Sequence, residues 1–205
     1  MITDQYIEAL RFATKAHDGQ TMKDKKTPYI AHPIGVSTLV MERGGNVEVA
    51  CAALLHDVVE DCSVSLTEIT TKFGSKVGSL VGFMSNPPID WSQLTNSVMR
   101  DKLSEYRRAY LKKLETASPD EQLLSACDKF YNARGINYQL TCMKTEKELD
   151  FVFNMYRGGV DATIKYYGKL AYCYMDFGRL TGTQSLGYDL DNLVQEWIAR
   201  YNDVS

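Results

Sequence analysis

The chain has 205 residues, 44% of them hydrophobic and 24% charged, a size and balance that suit one soluble globular domain and exclude a disordered or fibrous protein. A net charge of −3 gives no general attraction to nucleic acid or anionic membranes, so any phosphate recognition has to come from a local patch. No apolar run is long enough to span a bilayer, the N-terminus lacks the plan of a signal peptide, and five scattered cysteines without a C-x-x-C pair suggest neither a disulfide framework nor a zinc knuckle; a cytoplasmic protein with reduced thiols is expected.

Thr3 or Asp4 can cap a first helix whose apolar residues Ile7, Leu10, Ala13 and Ala16 fall on one stripe, ending near Gly19. A loop with Lys23, Lys25 and Lys26 follows, and His32-Pro33 sets proline at a first helical position of a helix that Gly44-Gly45 breaks. Asn46 can cap a third helix, apolar almost all round from Val49 to Val59, the pattern of a helix at the centre of a domain. Ser65 to Glu68 forms a capping-box pattern; Gly74 can close that short helix, and Val77 to Met84 continues as another up to Pro87-Pro88.

After a loop over Asn86 to Thr95, Val98 to Leu114 has helical composition with an exposed charged face. Ser118-Pro119-Asp120-Glu121 opens the helix that carries Asp128. Thr145 to Glu148 opens the next, Gly158-Gly159 interrupts it, Asp161 to Phe177 resumes, and Asp191 to Tyr201 closes the chain. No turn-bounded alternation reads as a strand. The expected fold class is all-α, a compact multi-helix domain taking in residues 1–205.

The chemistry gathers in His56-Asp57-Val58-Val59-Glu60-Asp61, four polar groups inside an otherwise apolar helix. Burying bare carboxylates costs several kcal/mol each unless a positive charge compensates, and a bound metal ion is the simplest compensation, since it accepts both imidazole and carboxylate. Glu60 lies one turn beyond His56 and Asp61 one turn beyond Asp57, so the first pair can hold metal while the second works on water or substrate. The chain has three histidines, His17, His32 and His56, which leaves little material for a binuclear site. A mononuclear N₂O₂ centre from His32, His56, Asp57 and Asp128 is the economical solution. His17, at a helix end beside Gly19, reads as a capping or surface group.

The segments Pro28 to Pro33, Ala52 to Asp61 and Cys127 to Arg134 resemble, in order, the small alarmone hydrolases, single-domain relatives of the hydrolase half of RelA/SpoT proteins that include the Mesh1 type. The resemblance implies a compact all-helical HD fold, one Mn²⁺ per chain held by His32, His56, Asp57 and Asp128, and hydrolysis of the 3′-pyrophosphate of guanosine tetra- or pentaphosphate. Glu60 and Asp61 match the acidic pair that works on the attacking water, Lys23 a substrate-contacting lysine and Asn132 a nucleotide contact. Lys25 adds to a cationic loop suited to phosphates, and Tyr106, Arg107, Arg108 and Tyr110 resemble a basic-aromatic segment facing the substrate, which makes Arg107 a further candidate.

Where relatives usually carry arginine before that lysine, this chain has Met22, whose thioether packs on a base without the electrostatic preference of a guanidinium; an adenine alarmone, (p)ppApp, therefore stands beside (p)ppGpp. Ser85-Asn86-Pro87-Pro88 also departs from the family and receives no role. Another nucleotide such as NADPH, and a non-catalytic nucleotide sensor, are the alternative functions, the second disfavoured by the acidic pair. Tyr166, Tyr167, Tyr172 and Tyr174 read as helix packing or a contact between copies of the chain, leaving a homo-oligomer open.

Overall fold

The computed structural model describes residues 2–85, 95–156, 158–177 and 183–204. Of the loop expected from Asn86 to Thr95, only Thr95 falls among them, and the stop at Pro87-Pro88 lies outside. The described residues form eleven α-helices and a single isolated bridge between Thr21 and Pro28, in line with the all-α expectation. No described helix is long and apolar enough to cross a membrane. By their internal contacts the helices group into two compact units.

The first unit contains α1 (Asp4–Ala16), α2 (Ala31–Glu42), α3 (Val47–Leu55), α4 (Val58–Asp61), α5 (Leu66–Phe73), α6 (Ser75–Met84) and the opening of α8 (Pro119–Thr141) as far as Asp128. At its centre, α3 buries every residue from Val49 to Leu55 and packs against α1, α2 and α6, as its all-round apolar pattern requires. Its start is fixed by Asn46, whose side chain accepts from Val49 N–H at 3.0 Å. Thr3 and Ser65 cap α1 and α5 in the same way, satisfying amide groups that have no partner inside the helix.

Three details depart from the sequence expectation. On α1 the inward face is Tyr6, Ala9 and Ala13, while Ile7 is 40% exposed; two alanines let α1 approach α3 closely, and the Tyr6 hydroxyl finds Ser37 Oγ at 3.1 Å, so the polar tip costs little when buried. Helix α2 begins at Ala31, so Pro33 is its third residue; a proline there loses nothing, because first-turn amides lack an intrahelical acceptor. The helix expected to run through His56 and Asp57 is broken there into α3 and α4.

His56 itself causes that break. Its Nδ1 lies 2.8 Å from the Ala53 carbonyl oxygen, the acceptor that the Asp57 amide would use in a continuous helix. Asp57 relaxes to φ −96°, ψ −9°, and regular hydrogen bonding resumes from Asp61 N–H to Asp57 O at 2.9 Å.

The second unit contains α7 (Asn96–Leu114), α8 from Lys129 onward, α9 (Glu146–Met155), α10 (Gly159–Phe177) and α11 (Thr183–Val204). Trp197 is fully buried, meeting Phe153 and Tyr167 edge to face at 6.0 and 5.3 Å, with its indole N–H donating to Asn137 Oδ1 at 3.0 Å. Helix α11 starts at Thr183, well before the expected Asp191. Gly187, a helix-weakening residue on propensity alone, is the point of close approach: a Cβ there would stand 2.7 Å from Met175 N and 3.0 Å from Ala171 O. Of the tail tyrosines, Tyr167 and Tyr174 are buried in packing and Tyr172 is exposed.

Candidate metal centre

Four side chains from three elements converge in the first unit. The hairpin-like loop before α2 is closed by Met22 N–H to Thr27 O at 2.8 Å and Tyr29 N–H to Gln20 O at 3.0 Å, which delivers His32 in the first turn of α2. The α3–α4 break delivers His56 and Asp57, and α8 delivers Asp128. His32, His56 and Asp128 are each less than 5% exposed.

The donor atoms point at one place. His32 Nε2 lies 3.2 Å from His56 Nε2, 3.4 Å from Asp57 Oδ2 and 3.2 Å from Asp128 Oδ1; His56 Nε2 lies 3.0 Å from Asp57 Oδ2 and 3.6 Å from Asp128 Oδ1. An ion bonded at about 2.1 Å holds adjacent donors about 3.0 Å apart in an octahedron and about 3.4 Å apart in a tetrahedron, so His32, His56 and Asp57 fit a single divalent cation, and Asp128 stands at similar spacing from both imidazoles. With Nδ1–H of His56 donated to Ala53 O, a neutral His56 presents a lone pair at Nε2, the form a metal requires. The donors of His32, His56 and Asp57 all lie within 4.8 Å of one another and form a possible metal-binding group; Asp128 joins them through its distances to the two imidazoles.

The electrostatics agree. Burial favours neutral imidazoles, yet the carboxylates of Asp128 and Asp57 outweigh it and raise both His32 and His56 above the ordinary histidine range. Burial likewise pushes the Asp57 carboxyl up, and His56 and His32 outweigh that and hold it far below the usual carboxylate range. The two carboxylates thus call for positive charge at this place, which a divalent cation would supply with the imidazoles neutral.

Around these four lies a set of contacts that sequence reasoning missed. Tyr29 Oη donates to Asp57 Oδ2 at 2.6 Å. His17, read from sequence as a capping or surface group, does end α1 but is only 3% exposed; its Nδ1 is 2.8 Å from Gln20 Oε1 and its ring is 4.9 Å from that of Tyr29. Gln20 Nε2 in turn donates to the Asp61 carbonyl at 3.0 Å. Asp61 and Glu60 sit at the solvent end of α4, and the Asp61 carboxyl is raised above the usual carboxylate range by burial and by the Asp57 charge.

Met22, Lys23 and Lys25 all lie on the loop between α1 and α2. Asp24 shapes it, accepting from the amides of Lys26 and Thr27 at 2.9 Å each and from the Thr27 hydroxyl at 2.6 Å; Lys25 adopts φ +57°, uncommon for a residue with a Cβ. Asn132 and Arg107 belong to the second unit. There α7 and α10 border a hollow of about 340 Å³ carrying Arg100, Arg107, Arg108, Lys165 and Lys169 beside Tyr166. Arg107 donates to Ala162 O at 2.9 Å and lies 4.7 Å over the Tyr166 ring. A Cβ on Gly158 would come within 2.7 Å of its guanidinium, so glycine leaves room for that cation.

Comparison with known proteins decides the family: the HD domain family matches residues 9–153. The chain belongs to the HD domain family. Among HD relatives, human MESH1, named guanosine-3′,5′-bis(diphosphate) 3′-pyrophosphohydrolase, is 37% identical over 136 residues, 65% of this chain and 70% of that protein. A guanosine-3′,5′-bis(diphosphate) 3′-pyrophosphohydrolase of Vibrio cholerae is 43% identical over 88 residues, 41% of this chain and 12% of that one. The solved structure of a metazoan orthologue of SpoT, described as hydrolysing ppGpp, shares the HD fold with a TM-score of 0.70 at 24% identity, covering 96% of this chain and 97% of that chain.

Proposed function

We propose that this HD protein hydrolyses the 3′-pyrophosphate of alarmone nucleotides, converting (p)ppGpp and water to GDP or GTP and pyrophosphate, with one Mn²⁺ held by His32, His56, Asp57 and Asp128. The observation that carries the reading is the set of distances of 3.0–3.6 Å that join the two imidazoles to each other and to Asp57 and Asp128 in a chain whose relatives are named for this reaction. The imidazole and carboxylate donors suit a divalent transition metal, and the choice of Mn²⁺ follows the family resemblance. When bound, the ion lowers the pKa of water and polarises a phosphoryl oxygen.

The chain's own residues supply the rest. Asp61, its carboxyl raised, takes the proton from the attacking water, and Glu60 beside it assists. The water oxygen forms a bond to the phosphorus next to the ribose 3′ oxygen, the bond from that phosphorus to the 3′ oxygen breaks, and the 3′ oxygen regains a proton. Lys23 and Lys25 offset phosphate charge from a loop that Asp24 holds in shape. Asn132 and Arg107 are substrate contacts on the resemblance described above, and the cationic hollow around Arg107 has chemistry suited to phosphate. Met22, half-exposed at the mouth of the lysine loop, favours a second reading in which (p)ppApp is accepted as well.

Incubation of the purified protein and Mn²⁺ with ppGpp, ppApp and NADPH separately, followed by anion-exchange chromatography, tests this. Loss of ppGpp with equimolar GDP and pyrophosphate is expected, and faster loss of ppApp selects the second reading. If both alarmones stay intact, the proposal is wrong; consumption of NADPH alone replaces it with another nucleotide hydrolase.

A further inference from the structure

We propose that Tyr29 is a positioning residue of the metal centre, its hydroxyl fixing which oxygen of Asp57 faces the ion and in which direction. The inference rests on the metal-centre reading above. Asp57 Oδ2 is the oxygen that stands 3.0 Å from His56 Nε2 and 3.4 Å from His32 Nε2, and that same oxygen accepts the Tyr29 hydroxyl at 2.6 Å. This is the short distance of a hydrogen bond to an ionised acceptor. A phenol remains protonated throughout the neutral range, so Tyr29 is a constant donor.

Asp57 needs such a partner. It occupies the break between α3 and α4, where its backbone is no longer held by a regular helical bond to Ala53, and its carboxylate can turn about two side-chain bonds. Tyr29 itself is clamped: its amide donates to Gln20 O at 3.0 Å, and its ring lies against His17 at 4.9 Å and His32 at 5.8 Å. The Gln20 side chain joins His17 to the Asp61 backbone at 2.8 and 3.0 Å. The phenol is thus held on the ligand carboxylate by packing and by a backbone hydrogen bond to Gln20, whose side chain is itself tied to His17 and to the Asp61 main chain.

Two variants separate the hydroxyl from the ring. Tyr29→Phe keeps the packing against His17 and His32; Tyr29→Leu removes both. Titration of metal-free protein with Mn²⁺ is expected to show affinity about ten- to a hundredfold weaker in Tyr29→Phe, the usual effect of losing a group that orients a ligand. At saturating Mn²⁺, kcat is expected to fall while the KM for ppGpp stays within about twofold, because Tyr29 orients a ligand carboxylate. Tyr29→Leu should be no worse in Mn²⁺ affinity than Tyr29→Phe. A Phe variant that matches wild type in affinity and kcat while the Leu variant is defective assigns Tyr29 to packing and overturns the inference. Wild-type protein that takes up no Mn²⁺ overturns the metal-centre reading and this inference with it, whereas equal uptake and turnover by wild type and Tyr29→Phe overturns this inference alone.

Discussion

His56 can offer a lone pair at Nε2 because its Nδ1–H donates to the Ala53 carbonyl oxygen at 2.8 Å, which fixes the tautomer of the neutral ring. In the metal-free pocket the carboxylates of Asp57 and Asp128 raise both imidazoles above the ordinary histidine range against the pull of burial. A raised pKa means protons stay bound to higher pH, so a metal has to displace them, and its affinity climbs as pH rises through the raised value and levels off above it. Mn²⁺ titrations between about pH 6 and about pH 8 should show binding weakening by about tenfold per pH unit on the acid side for each proton displaced; pH-independent affinity would contradict the assignment. Glu60→Gln with Asp61→Asn should leave Mn²⁺ binding nearly intact while lowering kcat by roughly 10²- to 10⁴-fold, the usual worth of a positioned acid-base group. Unchanged turnover would remove both from the mechanism. The proposed ligands stood out in sequence because most are ionisable groups set in apolar surroundings, which calls for compensation. Tyr29 and Gln20 were not, since their partners Asp57 and Asp61 lie 28 and 41 residues away and neither looks out of place where it stands.

At the scale of elements, local rules read well and packing rules did not. Asn46, Ser65 and Thr145 cap helices as their side-chain chemistry demands, with the Thr145–Glu148 capping box fully formed. The face of α1 and the start of α11 depend on what each helix meets: an alanine face and a tyrosine satisfied by Ser37 in one case, a glycine against the α10 backbone in the other. The break at His56 was illegible for a related reason, because an imidazole hydrogen bond to a carbonyl competes with the helix without changing the apolar pattern. Helix α3 bears on the site through that break, and its packing sets where His56 and Asp57 stand. Leu54 is fully buried in α3, and Leu54→Ala should cost about 2–5 kcal/mol of stability. Chemical denaturation measures this directly; a loss below about 1 kcal/mol would mean that α3 is not the tightly packed centre described.

For the whole molecule, a net charge of −3 coexists with five cationic side chains around one hollow of the second unit, a local concentration of positive charge that the overall balance does not reveal. The all-helical class was readable from periodicity along the entire chain, while the grouping of helices into two units was not, since it depends on contacts between distant segments and leaves no composition change at the boundaries. The proposed chemistry depends on one ion at one quartet of side chains. Metal-free protein titrated with Mn²⁺, with bound metal and ppGpp turnover followed in the same samples, tests it most directly. Turnover should be absent in chelator, rise in proportion to bound metal, and saturate at one ion per chain; turnover that persists without metal, or that requires a second ion, would contradict it.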